Sequence, residues 1–321
     1  MPNASTLTVR VAHKSREATD ICSFELVEAN GRPLPAFSAG SHVDVHLPGG
    51  QTRQYSLCND STETHRYLIA VLRDPASRGG SQALHDQVHE GQLLQISAPK
   101  NHFPLATKAH HSLLLAGGIG VTPILCMAER LAMTGASLEM HYCCRSPART
   151  AFRERIAASS FAQHVHFHFD DAPEQALNLS TLLSAPQAGY HLYVCGPKGF
   201  MDAVLAQARA NGWPASQLHY EFFSAEVTKA DSDTSFEVQL ASSGRIIPVA
   251  KDQTVTKALS AAGVEIQTAC EQGVCGTCLT RVLDGVPDHK DKYLTPEEQA
   301  ANDQFLPCCS RSKTPLLVLD I

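Results

Sequence analysis

Apolar residues alternate with polar ones in four short runs near the start of the chain: Leu7-Thr8-Val9-Arg10-Val11, His42-Val43-Asp44-Val45-His46-Leu47, Tyr67-Leu68-Ile69-Ala70-Val71 and Leu93-Leu94-Gln95-Ile96. Turn-rich pieces such as Pro48-Gly49-Gly50 and Arg78-Gly79-Gly80-Ser81 separate them. Period-two runs at this density predict an antiparallel β-barrel or sandwich, with one short helix around 81–88. From about His110 the pattern changes. Strand-like runs at 112–116, 137–143, 164–169 and 191–195 alternate with helix-like runs at 124–133, 152–158, 179–183 and 200–211. Such alternation predicts an α/β fold with a parallel sheet wrapped by helices, and a nucleotide as ligand. Residues 225–235 are polar and unpatterned and read as a linker. Beyond them Phe236–Leu240 turns at Ser243-Gly244 into Ile246–Val249, and a helix over 255–262 stops at Gly263. The expected division is a β-barrel domain over 1–107, an α/β domain over 108–224, the linker, and a third domain over 236–321.

Composition narrows the class. At 321 residues and 43% hydrophobic content the chain has room for two or three buried cores. No run approaches eighteen apolar residues and 1–10 holds no apolar leader core, so neither a membrane span nor a secretory signal is expected, and the expected compartment is the cytoplasm. Eleven cysteines, an odd number in a long chain, point to reduced thiols rather than a disulfide framework. A net charge of −6 without a basic run argues against nucleic acid. His164, His166 and His168 alternate as a metal-binding strand would, but strand pleating alone produces that spacing.

The most informative spacing is Cys270-x4-Cys275-x2-Cys278, with further thiols downstream at Cys308-Cys309. Two bridged irons need four thiolates converging on a small rhomb, three of them from one short loop, and this is the spacing of a plant-type 2Fe-2S cluster. Gly273 and Gly276 suit such a loop, because they accept positive φ and let amide N–H groups approach the inorganic sulfurs. A zinc site or a Cys275-x-x-Cys278 redox pair are the alternatives, and neither accounts for Cys270.

Two other segments carry candidate chemistry. Leu113-Leu114-Leu115-Ala116 runs into Gly117-Gly118-Ile119-Gly120-Val121-Thr122-Pro123. With Thr122 as N-cap and Pro123 at the first helical position, the loop would offer backbone donors to a pyrophosphate; a plain strand-to-helix turn is the alternative. In Arg53-Gln54-Tyr55-Ser56-Leu57 a strand would point Arg53 and Tyr55 together and Ser56 the other way. An edge-strand arginine and a core tyrosine would give the same pattern.

Arg53-x-Tyr55-Ser56, the GGxGxTP loop and Cys195-Gly196-Pro197 together resemble the ferredoxin-NADP reductase superfamily. The order of domains, with Ser77-Arg78-Gly79-Gly80-Ser81, Asp288-His289 and Cys308-x-Ser310-Arg311, is similar over essentially the whole chain to the phthalate dioxygenase reductase family. The resemblance implies FMN, with Arg53 and the Arg78, Gly79, Gly80, Ser81 clamp on its phosphate. It implies Tyr55, Ser56, Ala70 and Leu72 around its ring, Ser56 lying near N5. It further implies NADH, with Gly118, Gly120 and Thr122 on the pyrophosphate, Arg145 and Ser146 at the adenosine ribose, and Cys195, Gly196 and Pro197 beside the nicotinamide. Arg145 could in principle favour a 2′-phosphate. Phe223 is expected on the flavin face. The third domain is expected to be a β-grasp ferredoxin, and the Cys-x-Ser-Arg frame makes Cys308 rather than Cys309 the fourth iron ligand.

The parts imply an order of transfer. NADH gives a hydride, a two-electron step, whereas the cluster accepts electrons singly, and a flavin bridges the two. Relatives of this kind feed a Rieske-type oxygenase, so the resemblance implies such a partner, phthalate dioxygenase first and vanillate demethylation or carnitine oxidation next. A zinc-binding module without redox activity is the competing class. A monomer is expected.

Overall fold

The computed structural model describes residues 6–75, 77, 79–223 and 233–321. It divides into two compact units, Met1–Phe223 and Ser224–Ile321, so the barrel and α/β parts expected as separate domains share one unit.

The first unit opens with β1 (Thr6–Ala18), β2 (Ile21–Glu28), β3 (Ser41–His46), β4 (Thr52–Ser56), β5 (Tyr67–Leu72), α1 (Gly80–Gln87), β6 (Leu93–Ser97) and β7 (Lys100–Asn101). The strands run antiparallel in the order β4-β3-β6-β1-β2-β5, with β7 paired to β3. The sheet curls, and a single bridge from Leu57 to Ile69 joins its two outer strands. Val9, Phe24, Leu26, Val43, Val45, Ile69 and Ile96 fill its interior, which α1 closes with Leu84. Two features escape the alternation pattern. Bulges between Val11 and His13 and between Arg16 and Ala18 carry β1 past the point where its period breaks. In β2 Ser23, on the face opposite Phe24 and Leu26, is buried as well, satisfied by donating to Glu17 Oε1 at 2.6 Å.

A parallel sheet follows, built from β8 (His111–Gly117), α2 (Val121–Met133), β9 (Leu138–Cys144), α3 (Arg153–Ala157), β10 (Val165–Phe169), α4 (Leu179–Leu182), β11 (Tyr190–Cys195), α5 (Lys198–Ala210) and β12 (Leu218–Glu221). Its order is β10-β9-β8-β11-β12, so the winding reverses between β8 and β11, the crevice where open α/β sheets take their ligands. On one face α2 packs Ile124, Leu125 and Ala128 with Met140 and Tyr142. On the other α5 packs Val204, Leu205 and Ala208 with Leu113, Leu115 and Val194. His164 lies in a 3-10 turn over Ala162–His164 rather than in the strand, which begins at Val165. His166 and His168 stack on His141 at 5.0 and 5.2 Å, and His141 also hydrogen-bonds His168 and Glu139 at 2.9 and 3.0 Å.

The second unit holds β13 (Phe236–Leu240), β14 (Ile246–Val249), α6 (Val255–Ala261), β15 (Thr280–Asp284), β16 (Pro287–Asp288), α7 (Pro296–Ala301), β17 (Gln304–Phe305), β18 (Arg311–Ser312) and β19 (Leu316–Leu319). A β13–β14 hairpin pairs in parallel with β19 in the order β14-β13-β19-β15-β17, and α6 lies against it through Val255, Ala258 and Leu259. A helix packed on such a mixed sheet is the expected β-grasp. The linker expected at 225–235 falls largely on 225–232, outside the described residues. Its last part belongs to this unit, since Asp233 pairs with Lys290 and Thr234 O accepts from Arg311 Nη2 at 3.0 Å.

Leu259 is fully buried under this sheet. Leu259→Ala should lower stability by about 2–5 kcal/mol, read as a fall in the urea midpoint at unchanged slope. A shift smaller than about 1 kcal/mol would show that α6 is not part of that core.

Candidate functional site

In the second unit the cysteine loop turns back on itself through Gly273 at φ +72° and Gly276 at φ +71°, the conformation the sequence requires of them. Neither has room for a Cβ: at Gly276 it would strike the Tyr293 ring, and at Gly273 the Cys309 sulfur and Asp291. The fold brings Cys270, Cys275, Cys278 and Cys308 together, each at most 9% exposed. Cys270 hydrogen-bonds with Cys275 and with Cys308, and Cys278 with Cys308. These bonds lower Cys270 and Cys278 from the usual thiol range and push Cys275 and Cys308 up. Four thiolates crowded in a buried nest require a cationic centre, and iron supplies one. Among the described residues no group of three or more His, Cys, Asp or Glu side chains is already arranged around a metal position. The thiols instead face one another in pairs, an arrangement a bridged two-iron rhomb can enter. Cys309 is buried beside them, its sulfur facing the Gly273 turn, hydrogen-bonded with Cys308, and 3.7 Å from Leu306 O and Ser310 Oγ.

The loop rests on a segment that spacing alone did not single out. Asp291, buried, accepts from Leu294 N at 2.9 Å and from Ser310 Oγ at 3.3 Å, while Lys292 N donates to Gly273 O at 2.9 Å. A signal was present in the sequence: Thr295-Pro-Glu-Glu298 is a capping box, formed as such at the start of α7.

In the first unit Arg53 leaves β4 and lies across the start of α1, so close that a Cβ on Gly80 would stand 2.8 Å from its Cγ and 2.9 Å from its Nε. The amides of Gly79 and Ser81 converge on Ser77 Oγ at 3.1 and 3.3 Å. Amide donors already gathered on one oxygen at a helix N-terminus, beside a guanidinium, fit a phosphate. Ser81 Oγ itself accepts from Asp74 N. Arg78 lies outside the described residues. Tyr55 packs partly against the curled-sheet core, Ala70 is buried and Leu72 half-buried on β5.

At the crevice the glycines serve close packing. A Cβ on Gly120 would overlap the Cys195 carbonyl, and one on Gly117 would stand 2.8 Å from Phe200 and 2.9 Å from Pro197. The β8 and β11 loops thus press together, placing Gly118, Gly120, Cys195, Gly196 and Pro197 side by side. One expectation is corrected. A 3-10 turn over Gly118–Gly120 starts the helix early, so Gly120 is the N-cap, Pro123 is the third helical residue, and Thr122 donates to Ile119 O at 3.1 Å. Arg145 is exposed and Ser146 half-buried at the end of β9, and Phe223, 37% exposed, ends the described part of the unit.

Three further groups meet at Ser56. Its hydroxyl donates to Glu221 Oε2 at 3.4 Å, Glu221 Oε1 lies 4.0 Å from His42 Nδ1, and Cys195 feels the same carboxylate. Burial first, and Glu221 second, push the Cys195 thiol up, so it stays neutral. Burial also raises Glu221 to about 7, the Ser56 bond opposing it, and lowers His42 to about 4. Sequence reading took Glu221-Phe222-Phe223 for its aromatics and His42 only as part of an alternating run, and so missed both.

Residues 238–313 match the family described as a 2Fe-2S iron-sulfur cluster binding domain, and 97–218 match the N-terminal domain of dimethylamine monooxygenase subunit DmmA-like proteins. Vanillate O-demethylase oxidoreductase of Pseudomonas putida is 58% identical over 97% of this chain and 98% of its own. The solved phthalate dioxygenase reductase, described as a modular structure for electron transfer from pyridine nucleotides to [2Fe-2S], is 38% identical with a TM-score of 0.76, over 99% of this chain and 98% of its own. An intact type IV self-sufficient cytochrome P450 monooxygenase is 39% identical with a TM-score of 0.88, over 98% of this chain and 41% of its own. No helix among the described residues is long and apolar enough to cross a membrane.

Glu221 sets a sign for stability. Its carboxyl is held near 7 in the fold against an ordinary 4.5, so the folded chain binds the extra proton and loses stability as pH rises from about 4.5 to 7. Glu221→Gln should remove that slope: relative to the variant, the wild-type melting temperature should fall between pH 5 and pH 8. A constant difference across that range would show that Glu221 is not held protonated.

Proposed function

This chain belongs to the phthalate dioxygenase reductase family, and we propose that it takes a hydride from NADH onto FMN and passes the electrons singly through a 2Fe-2S cluster to the oxygenase of a vanillate O-demethylase. The observation that carries the reading is the nest of four facing thiols, in a domain whose family binds that cluster. Full-length identity of 58% to a vanillate O-demethylase oxidoreductase, against 38% to phthalate dioxygenase reductase, favours vanillate demethylation over phthalate as the partner's reaction.

Bound FMN supplies two-electron acceptance and one-electron release. Arg53, Gly79 and Gly80 hold its phosphate, with Arg78 and Ser81 assigned beside them by resemblance. Tyr55, Ser56, Ala70 and Leu72 border its ring. Gly118, Gly120 and Thr122 take the pyrophosphate of NADH, Arg145 and Ser146 its adenosine ribose, and Cys195, Gly196 and Pro197 the nicotinamide end, where Phe223 shields the flavin face. Cys270, Cys275, Cys278 and Cys308 ligate the irons. The working parts keep the boundaries 1–107, 108–224 and 236–321. None of the cysteines among the described residues is in a disulfide, which supports a reducing compartment and thus the cytoplasm, where the chain acts as a monomer.

With purified vanillate O-demethylase oxygenase, NADH-dependent oxygen uptake should exceed that with phthalate dioxygenase several-fold, and the reverse ranking would overturn the choice of partner. Cys275→Ser should abolish the cluster's visible absorption while NADH still bleaches the flavin; loss of both would count against separate working parts. Gly80→Ala, by pushing the Arg53 guanidinium aside, should leave the protein largely flavin-free after dialysis. Full retention would remove Arg53 from the phosphate site.

A further inference from the structure

On the face of β9 and β10 turned away from α2, three side chains form a row of hydrogen bonds that ends on the backbone. His168 Nδ1 lies 2.7 Å from Gln175 O, His141 Nδ1 lies 2.9 Å from His168 Nε2, and His141 Nε2 lies 3.0 Å from Glu139 Oε1. The two ends of the row, a carbonyl and a carboxylate, are both acceptors. Three hydrogen bonds need three protons, and two neutral imidazoles carry only two. The row therefore holds a third proton, shared among its members and balanced by the charge of Glu139.

Loss of that proton breaks one bond, and the chemistry of the ends decides which. A hydrogen bond to a carboxylate is roughly twice as strong as one between neutral groups. Glu139 accordingly keeps its donor, His141 Nε2. His141 then offers a bare Nδ1, His168 turns its single N–H toward it, and His168 Nδ1 is left facing Gln175 O lone pair to lone pair. Gln175 ends a 3-10 turn over Pro173–Gln175, and that turn is tied to the end of β9. Gln175 N donates to Ala172 O at 2.8 Å, Asp171 N to Arg145 O at 3.3 Å and Asp170 N to Cys144 O at 3.0 Å.

We propose that Glu139, His141 and His168 form a proton-operated latch on this turn, and that His168 is thereby a positioning residue for the ribose end of NADH at Arg145 and Ser146; the latter part rests on the NADH reading given above. Other polar groups face the row from each neighbouring element. His166 Nε2 on β10 is 3.6 Å from Glu139 Oε1, and His111 on β8 also faces Glu139, with His164 beside it. Cys143 stands opposite His168 across the two strands, with Asp170 near it, and Glu174 in the turn is exposed. Burial lowers the proton affinity of His141, Glu139 raises it, and His168 and His166 lower it again, leaving it below the ordinary imidazole range. The latch is closed in mild acid and opens as pH rises toward neutral.

Two measurements test this. In the oxidised, fully loaded protein, the ¹⁵N signals of His168 should show Nδ1 protonated in mild acid and bare at pH 8, with a midpoint below the ordinary imidazole value of 6.5, and the backbone amides of 174–176 should shift with it. Glu139→Gln supplies the third proton from an amide that does not titrate, so in this variant the His168 tautomer and the turn should stay fixed over the same range. A His168 Nδ1 in one state from pH 4.5 to 8, or a change that Glu139→Gln leaves untouched, overturns the latch whether or not NADH binds. In kinetics, the KM for NADH should rise several-fold through the same midpoint with kcat for ferricyanide reduction little moved, and the rise should be absent in Glu139→Gln. A KM that stays flat in the wild type, or rises alike in the variant, overturns the positioning role. A loaded protein whose flavin NADH does not bleach would overturn the functional reading and the positioning role with it, while the tautomer switch would still decide the latch.

Discussion

Four thiols forced into one buried nest are the constraint on which the second unit is built. Deprotonated together they would repel one another in a poorly solvated place, and protonated together they would share too few hydrogen bonds; a two-iron centre resolves the conflict by drawing off every proton. The rest of the unit holds that geometry. Gly273 and Gly276 turn the loop where side chains have no room, Tyr293 and Asp291 close it from outside, and Ser310 ties the strand that brings Cys308 back to it. Arg311 fixes the same strand end through bonds to Gln253 O and Ala250 O at 2.8 and 3.1 Å.

The first unit answers a different demand, that of two substrates meeting over one ring. The curled sheet offers a guanidinium and convergent amides at the start of α1, and the parallel sheet offers a glycine crevice at the point where its winding reverses. Close packing of Gly120 on the Cys195 backbone holds the two sides of that crevice against each other. Between the two lies a small polar cluster of Ser56, Glu221 and His42, most of it buried, whose proton affinities are set chiefly by burial.

Much of this was legible in the residues. Alternation located β3, β5 and β6, helix periodicity located α2 and α5, and the cysteine spacing located the cluster loop. What escaped shares a physical cause: it depends on partners distant in sequence. Bulges hid the length of β1, a satisfied Ser23 broke the pattern of β2, and the early 3-10 turn at Gly118 displaced the helix start that Thr122 and Pro123 suggested. Asp291 and Glu221 are single acidic residues whose roles exist only once the chain brings Ser310 and Ser56 beside them. Cys308 and Cys309 lie side by side in the fold as in the sequence, the first sulfur meeting Cys270 and Cys278 and the second meeting Cys308, Leu306 O and the Gly273 turn, so the choice of Cys308 rests on the Cys-x-Ser-Arg resemblance.

The central claim is that electrons taken pairwise from NADH reach a two-iron centre one at a time within this single chain. Low-temperature electron paramagnetic resonance of the anaerobic, fully loaded protein after addition of NADH tests it most directly. The account predicts the signal of a one-electron-reduced two-iron cluster, absent before NADH is added. A loaded protein whose flavin bleaches while the spectrum stays silent would contradict it.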